Sequence, residues 1–229
     1  MPDEAASSEE ERRKFTAEAS LFHQQARKAA AEAVAAEHAA ELAQINRDRE
    51  VYKRSREEAS DLYHHVYRFV GEVSAGSVKT CMDELILWSR LDPGCDIEII
   101  FQSPGGDTVA GMALWDVLQD LRAHGHKLTT VARGYAASMA GILLQAGDVR
   151  VMGRESWLLI HEASFGVIGS FGEVEDRVEW VRKLQNRILD IFAARSNLSR
   201  AQIKRRWHRK DWWLDSEEAL KLGFIDEIR

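Results

Sequence analysis

Between Asp3 and Val70 the chain has neither glycine nor proline, and all 15 of its glycines fall from position 71 onward. The glycine-free part is dominated by Ala, Glu, Arg, Lys and Gln, residues that lose little or no side-chain freedom in a helix. With nothing to break it, residues 1–60 read as one long helix, or as two with a soft joint. Phe15, Ala19, Phe22, Ala26, Ala29, Ala33, Ala36, Ala40 and Ala43 alternate four and three apart, the spacing of a coiled-coil seam. Most of that seam is methyl groups, each contributing only about 0.8 kcal/mol when removed from water, so the helix needs a partner surface. The segment therefore reads either as an interaction or assembly arm or as a solvated linker helix.

After residue 60 the pattern becomes alternating α/β. "HHVYRFVGEV" reads as a strand ending at Gly71, "AGSVKTCMDELILWSRL" as a helix stopped by "DPG", and "DIEIIFQ" as a buried strand. "SPGGD" turns into the helix "TVAGMALWDVLQDLRAHG". "KLTTVARG" is a third strand, "YAASMAGILLQAG" opens the next helix, and "SWLLIHEA" is a fourth strand. From Glu173 to Ser196, Val174, Val178, Val181, Leu184, Ile188 and Ile191 stand three or four apart, predicting an amphipathic helix. Strands alternating with helices imply a mainly parallel sheet layered by helices.

Two strand-to-helix junctions carry unusual composition. In "FQSPGGD", Gly105 and Gly106 leave the backbone bare, so that N–H groups can approach a ligand that any Cβ would block. In "GYAASMAG", Ser138 stands among Ala136, Ala137, Ala140 and Gly141 at the start of a helix, where amides are unpaired and the helix dipole is positive. Amides from Gly106 and Met139 would form an oxyanion hole if the junctions face each other. The same small residues would equally allow close packing of helix on sheet. His161 ends the strand "WLLIH", at the sheet edge where helices start. Asp211 precedes the bulky "WWL", which can bury an acid. Taken singly, each also reads as a satisfied polar residue or a helix cap.

Composition narrows the classes. An apolar fraction of 45% and a charged fraction of 30% are those of a globular domain, and no apolar run reaches the roughly 20 residues that span a bilayer. The acidic, polar start "MPDEAASSEEERRK" is neither a secretory signal nor a transit peptide. A net charge of -6 gives no reason to expect nucleic acid, and the basic run "KRRWHRK" reads as a solvated face. Cys81 and Cys95 are too few for a disulfide scaffold or a cysteine zinc site, which points to a reducing cytoplasm. No membrane partner is expected.

Taken in order, "FQSPGGD", "GYAASMAG", "LIHEA" and "RKDWWLDSEEALKLGFID" resemble the successive motifs of the Clp protease proteolytic subunit (ClpP) family, from about His65 to Ile228. The resemblance implies an α/β, ClpP/crotonase-like layered fold with a peptidase domain over residues 61–229, here carrying a helical extension over 1–60. It implies a serine endopeptidase with Ser138 as nucleophile, His161 as general base and Asp211 as orienting acid. Gly106 and Met139 match the oxyanion donors, and Gly105 and Gly106 the substrate-binding turn. The helix at 173–196 resembles the handle helix through which two seven-membered rings stack. No metal or organic cofactor is implied. The implied partners are protein or peptide substrates, further copies of the chain and a hexameric ATP-driven unfoldase.

Two departures stand out. The family usually has Gln-Pro after the histidine, where this chain has Glu162 and Ala163, and a carboxylate there is expected to favour the protonated form of His161 and shift its optimum upward. The family's N-terminus is a short hairpin at the axial pore that engages the unfoldase, and here a helical arm takes its place. Phage relatives that mature virion heads offer an alternative, with capsid or scaffold proteins as partners and the arm as a propeptide. Alternatives of another class are a crotonase-fold acyl-CoA enzyme and a non-catalytic scaffold subunit. A Ser-Lys dyad fits less well, because the His and Asp motifs are both present.

Overall fold

The computed structural model describes residues 3–229, with side chains from Arg12 onward. It divides after Ser60 into two units. The first is a single helix, α1 (Asp3–Glu58), of 56 residues, roughly 84 Å at 1.5 Å per residue. Every side chain from Arg12 to Ala59 is exposed, including Phe15 and Phe22 at 74% and 70%. Neither face is covered within this unit. The helix rests on propensity and on pairs one turn apart, such as Lys28–Glu32, Lys53–Glu57 and Arg54–Glu58. No helix among the described residues is long and apolar enough to cross a membrane.

The second unit begins with a 3-10 turn (Leu62–His64) and strand β1 (Val66–Val70). There follow α2 (Ala75–Leu91), β2 (Ile97–Ser103), α3 (Thr108–Ala123), β3 (Leu128–Ala137), α4 (Met139–Leu144), β4 (Val149–Met152) and β5 (Trp157–Ile160). The C-terminal third holds α5 (Phe171–Ala194), α6 (Arg200–Trp207), β6 (Trp212–Leu214), α7 (Ser216–Lys221) and β7 (Glu227–Ile228). One seven-stranded sheet runs β1-β2-β3-β4-β7, and β5 pairs with β3 and with β6. All pairings are parallel except β5 with β6. This is the layered α/β architecture that the alternation implied.

The differences from sequence are local. Strand β3 continues through Tyr135–Ala137, and the helix begins only at Met139. Between Phe101 and Ser103 the β2–β3 register slips, with Ala132 opposite Phe101 but Ala136 opposite Ser103. Gly134, at φ 69, sits in the extra length. There β3 changes neighbour, its first half pairing with β4 and its second with β5. Strand β4 carries Arg150 at its centre, which hid it from an apolar pattern. The guanidinium is buried and donates to both Asp226 carboxylate oxygens and to the carbonyls of Arg195 and Gly223. Helix α5 starts at Phe171 rather than Glu173, because Ser170 and Glu173 form a capping box.

Candidate functional site

Ser138 stands between β3 and α4 at φ 54, ψ −121, a left-handed backbone that costs a non-glycine residue on the order of 1–3 kcal/mol. Its amide donates to the Leu159 carbonyl at 3.0 Å, tying the strained residue to β5. The α4 helix it caps is buried along its whole length. A polar residue at the mouth of so apolar a helix is therefore held by its backbone, leaving the hydroxyl free of any hydrogen bond among the described residues.

The glycine turn packs directly against it. Gly105, at φ +87, lies so close that an added Cβ would stand 2.6 Å from the Ala137 carbonyl oxygen, 2.7 Å from Ser138 Cβ and 2.8 Å from the Met139 nitrogen. At Gly106 the chain forms a parallel bridge with Val73: Val73 donates to the Gly105 carbonyl and Asp107 donates to the Val73 carbonyl, at 2.8 and 2.7 Å. In such a bridge the flanked residue's own N–H points the other way. The Gly106 amide is thus turned from Val73, and Met139, the first residue of α4, has an amide with no helical acceptor. Asp107 accepts from Val109 and Ala110 and so starts α3.

Strand register brings the remaining candidates to the same edge. Ala137 is opposite Leu159 in the parallel β3–β5 pair, and Ile160 is opposite Trp212 in the antiparallel β5–β6 pair. One step further along β5 is His161, and one step back along β6 is Asp211. Ser138, His161, Gly106 and Met139 line one small cavity together with Thr108, Ile142 and Phe192. Asp211 is exposed and outside that lining. Among the described residues no hydrogen bond joins Ser138 to His161, or His161 to Asp211. Next to the cavity, and sharing Gly106, Thr108, Ala163 and Ser164 with it, a groove of about 330 Å³ runs along Arg177, Trp180 and Leu184 of α5.

Glu162 does something other than the sequence suggested. Its carboxylate accepts from His208 Nδ1 at 3.0 Å and from the Arg209 amide at 3.2 Å, rather than from His161. The His208 hydrogen bond, more than the small opposing effect of burial, holds the Glu162 carboxyl below its usual range. Arg209 is itself left-handed, at φ 56. Glu162 therefore staples the end of β5 to the turn that leads into Asp211. That turn is part of the basic run read as a solvated face. Within it Trp207 is buried, Arg206 stacks over Trp212 at 5.3 Å, and His208 and Arg209 hold Glu162. The sequence signal for this staple is the pairing of the unusual acid after the histidine with the bases just before the aspartate. Among the described residues one His/Asp/Cys cluster has converging donor atoms, His65, Asp92 and Cys95, and none of the three lines this cavity.

Known proteins match the same part of the chain. The profile of the Clp protease family covers residues 53–229. An ATP-dependent Clp protease proteolytic subunit of Deinococcus radiodurans is 30% identical over 179 residues, 75% of this chain and 86% of that protein. One from Bacteroides fragilis is 31% identical over 165 residues, 70% of this chain and 77% of the relative. The ATP-dependent Clp protease proteolytic subunit 2 of Tropheryma whipplei is 32% identical over 148 residues, 64% of this chain and 80% of that protein. With its parallel sheet, its glycine turn against Ser138 and this coverage, the chain belongs to the Clp protease family and is a ClpP-like protease.

Proposed function

We propose that the chain is a serine endopeptidase in which Ser138 is the nucleophile, His161 the general base and Asp211 the orienting acid. The observation that supports this reading is the contact of Gly105 with Ser138 and Met139, which leaves no room for a Cβ and packs the turn that carries the Gly106 amide against a strained serine. Ser138 Oγ attacks the substrate carbonyl carbon while His161 takes the hydroxyl proton. The negative oxygen of the tetrahedral intermediate is held by the Gly106 and Met139 amides, a stabilisation usually worth about 3–4 kcal/mol per donor. His161 then returns the proton to the leaving amine. Water repeats the attack on the acyl-enzyme and frees Ser138. Asp211 keeps the imidazole in the tautomer that faces the serine, and the hydrogen bonds of this relay close when substrate fills the cavity. The adjoining groove along α5 receives the substrate chain.

The reading extends to a homo-oligomer of paired heptameric rings built through α5, whose Phe171, Val178 and Trp180 are exposed while Val181, Ile188, Leu189 and Phe192 of the same helix are buried. Residues 1–60 act as a separate assembly arm, in keeping with a helix that covers none of its own apolar residues. Ser138→Ala tests the central step, because the substitution is small enough to leave packing unchanged. The variant should keep its fold and lose hydrolysis of short peptides. A purified variant that cleaves at the unaltered rate would remove Ser138 from the mechanism.

A further inference from the structure

We propose that His65, Asp92 and Cys95 bind one divalent cation of the zinc class per chain, at a site independent of the peptidase cavity. The arrangement starts from four consecutive residues, Asp92-Pro93-Gly94-Cys95, between α2 and β2. Proline in the second place and glycine in the third suit a type II turn. Gly94 has the positive φ such a turn requires, 83°, and Cys95 donates its amide to the Asp92 carbonyl at 3.2 Å. The turn thus brings a carboxylate and a thiol together at its two ends. His65 arrives from the start of β1. Its backbone is left-handed, φ 55 and ψ 37, which is uncommon outside glycine. Its amide donates a hydrogen bond to the Leu62 carbonyl, its carbonyl accepts from the Glu98 amide, and its ring packs edge-to-face with Trp88 at 5.4 Å.

One donor atom from each of the three residues lies within 4.8 Å of the others. Around a tetrahedral zinc ion, with bonds of about 2.0–2.3 Å, donors stand roughly 3.5 Å apart. Small side-chain rotations, freest at the exposed Asp92, would bring the donors to that spacing. Neither the Asp92 carboxylate nor the His65 imidazole has a hydrogen bond or salt bridge among the described residues, so both are free to ligate. A nitrogen, an oxygen and a sulfur donor favour a borderline-soft ion over magnesium or calcium, which take oxygen, and three protein ligands leave a fourth position for water.

One further observation fits a cation. Behind Cys95 lies His126, only 3% exposed. Its Nδ1 is 3.0 Å from the Cys95 carbonyl oxygen and 3.6 Å from Sγ, while Nε2 is 2.8 Å from Ser89 Oγ. Such outer partners orient a ligand and resist its displacement. An ion held here would clasp the first residues of the second unit to the α2–β2 turn.

The test uses the untagged, metal-stripped full chain titrated with Co²⁺. One equivalent should produce the intense visible bands of tetrahedral cobalt and a near-ultraviolet thiolate-to-cobalt charge-transfer band, both bleached by Zn²⁺. Zn²⁺ should also protect Cys95 from a thiol reagent, Cys81 being buried and silent. Cys95→Ser, nearly isosteric, should lose the charge-transfer band. His65→Asn, which tolerates the left-handed backbone, should weaken binding roughly tenfold or more. No charge-transfer band at stoichiometric cobalt, or an equal one in Cys95→Ser, would overturn the proposal.

Discussion

Replacing Gly105 by alanine puts a methyl group where the structure has the Ala137 carbonyl, Ser138 Cβ and the Met139 nitrogen, at 2.6, 2.7 and 2.8 Å. Ordinary contact begins near 3.4 Å, so these atoms must retreat by up to 0.8 Å, and two of the three are backbone with no rotamer to yield. The left-handed φ of +87 adds about 1–2 kcal/mol for any residue with a Cβ, and overpacking about 1–3 kcal/mol more. Gly105→Ala should therefore lose roughly 2–5 kcal/mol of stability. Its turnover should fall about 100-fold, since a displacement near 1 Å at a reacting group has that effect. Gly125→Ala is the control, because its φ is +92 but nothing lies within 4 Å of the added Cβ. It should lose only the conformational part, about 1–2 kcal/mol, with no change in turnover. Denaturant melts and short-peptide hydrolysis on both purified variants separate the terms. If both lose activity equally, or neither does, the fit of the glycine turn against Ser138 does not position the catalytic atoms.

Other perturbations address neighbouring parts. Glu162→Ala removes both bonds to the 208–209 turn and should lower kcat about tenfold or more, whereas Glu162→Gln, which keeps an acceptor for the Arg209 amide, should lose less. Equal kcat in both variants and the parent would deny Glu162 a positioning role. At Asp226, burial alone would raise the carboxyl, but the hydrogen bonds and charge of Arg150 outweigh it and the net displacement is downward. A depressed carboxyl contributes stability in full above its unfolded value near ~3.9 and loses it as pH falls through the folded value. Asp226→Asn should thus be about 2–3 kcal/mol less stable at neutral pH, discounted for partial exposure of the carboxylate, and should converge with the parent in acid. A pH-independent difference would contradict that linkage. A chain beginning at Ser60 should fold and cleave short peptides as the full chain does, and an insoluble product would show that the second unit depends on α1.

Much of this was legible in the residues because the informative signals are local. A run without glycine or proline can hardly avoid being α1, and "DPG" stops α2 within one residue of the expected place. The two glycines before Asp107 and the small residues around Ser138 announced two junctions, which the fold brings into contact. Less visible were β4, β6 and β7, strands of two to four residues, too short to show a period. β4 was further disguised by Arg150, whose burial is intelligible only once Asp226, far along the chain, closes over it. The helix expected at Tyr135 was delayed because Gly134 lets β3 change partner and continue as a strand. Glu162 was noticed, but its engagement with His208 depends on the antiparallel β5–β6 pairing, which brings together residues 46 apart.

The central claim is that Ser138 is an activated nucleophile, and a fluorophosphonate probe tests it most directly, because it reacts with a serine only where a base and an oxyanion hole stand ready. Incubating the full chain with the probe and mapping the adduct by mass spectrometry should find one modification per chain, on Ser138. Unfolding the protein first should abolish labelling, since the strained backbone and the paired amides exist only in the fold. A fully folded chain that stays unlabelled, or one labelled at another residue with Ser138 untouched, would contradict the account.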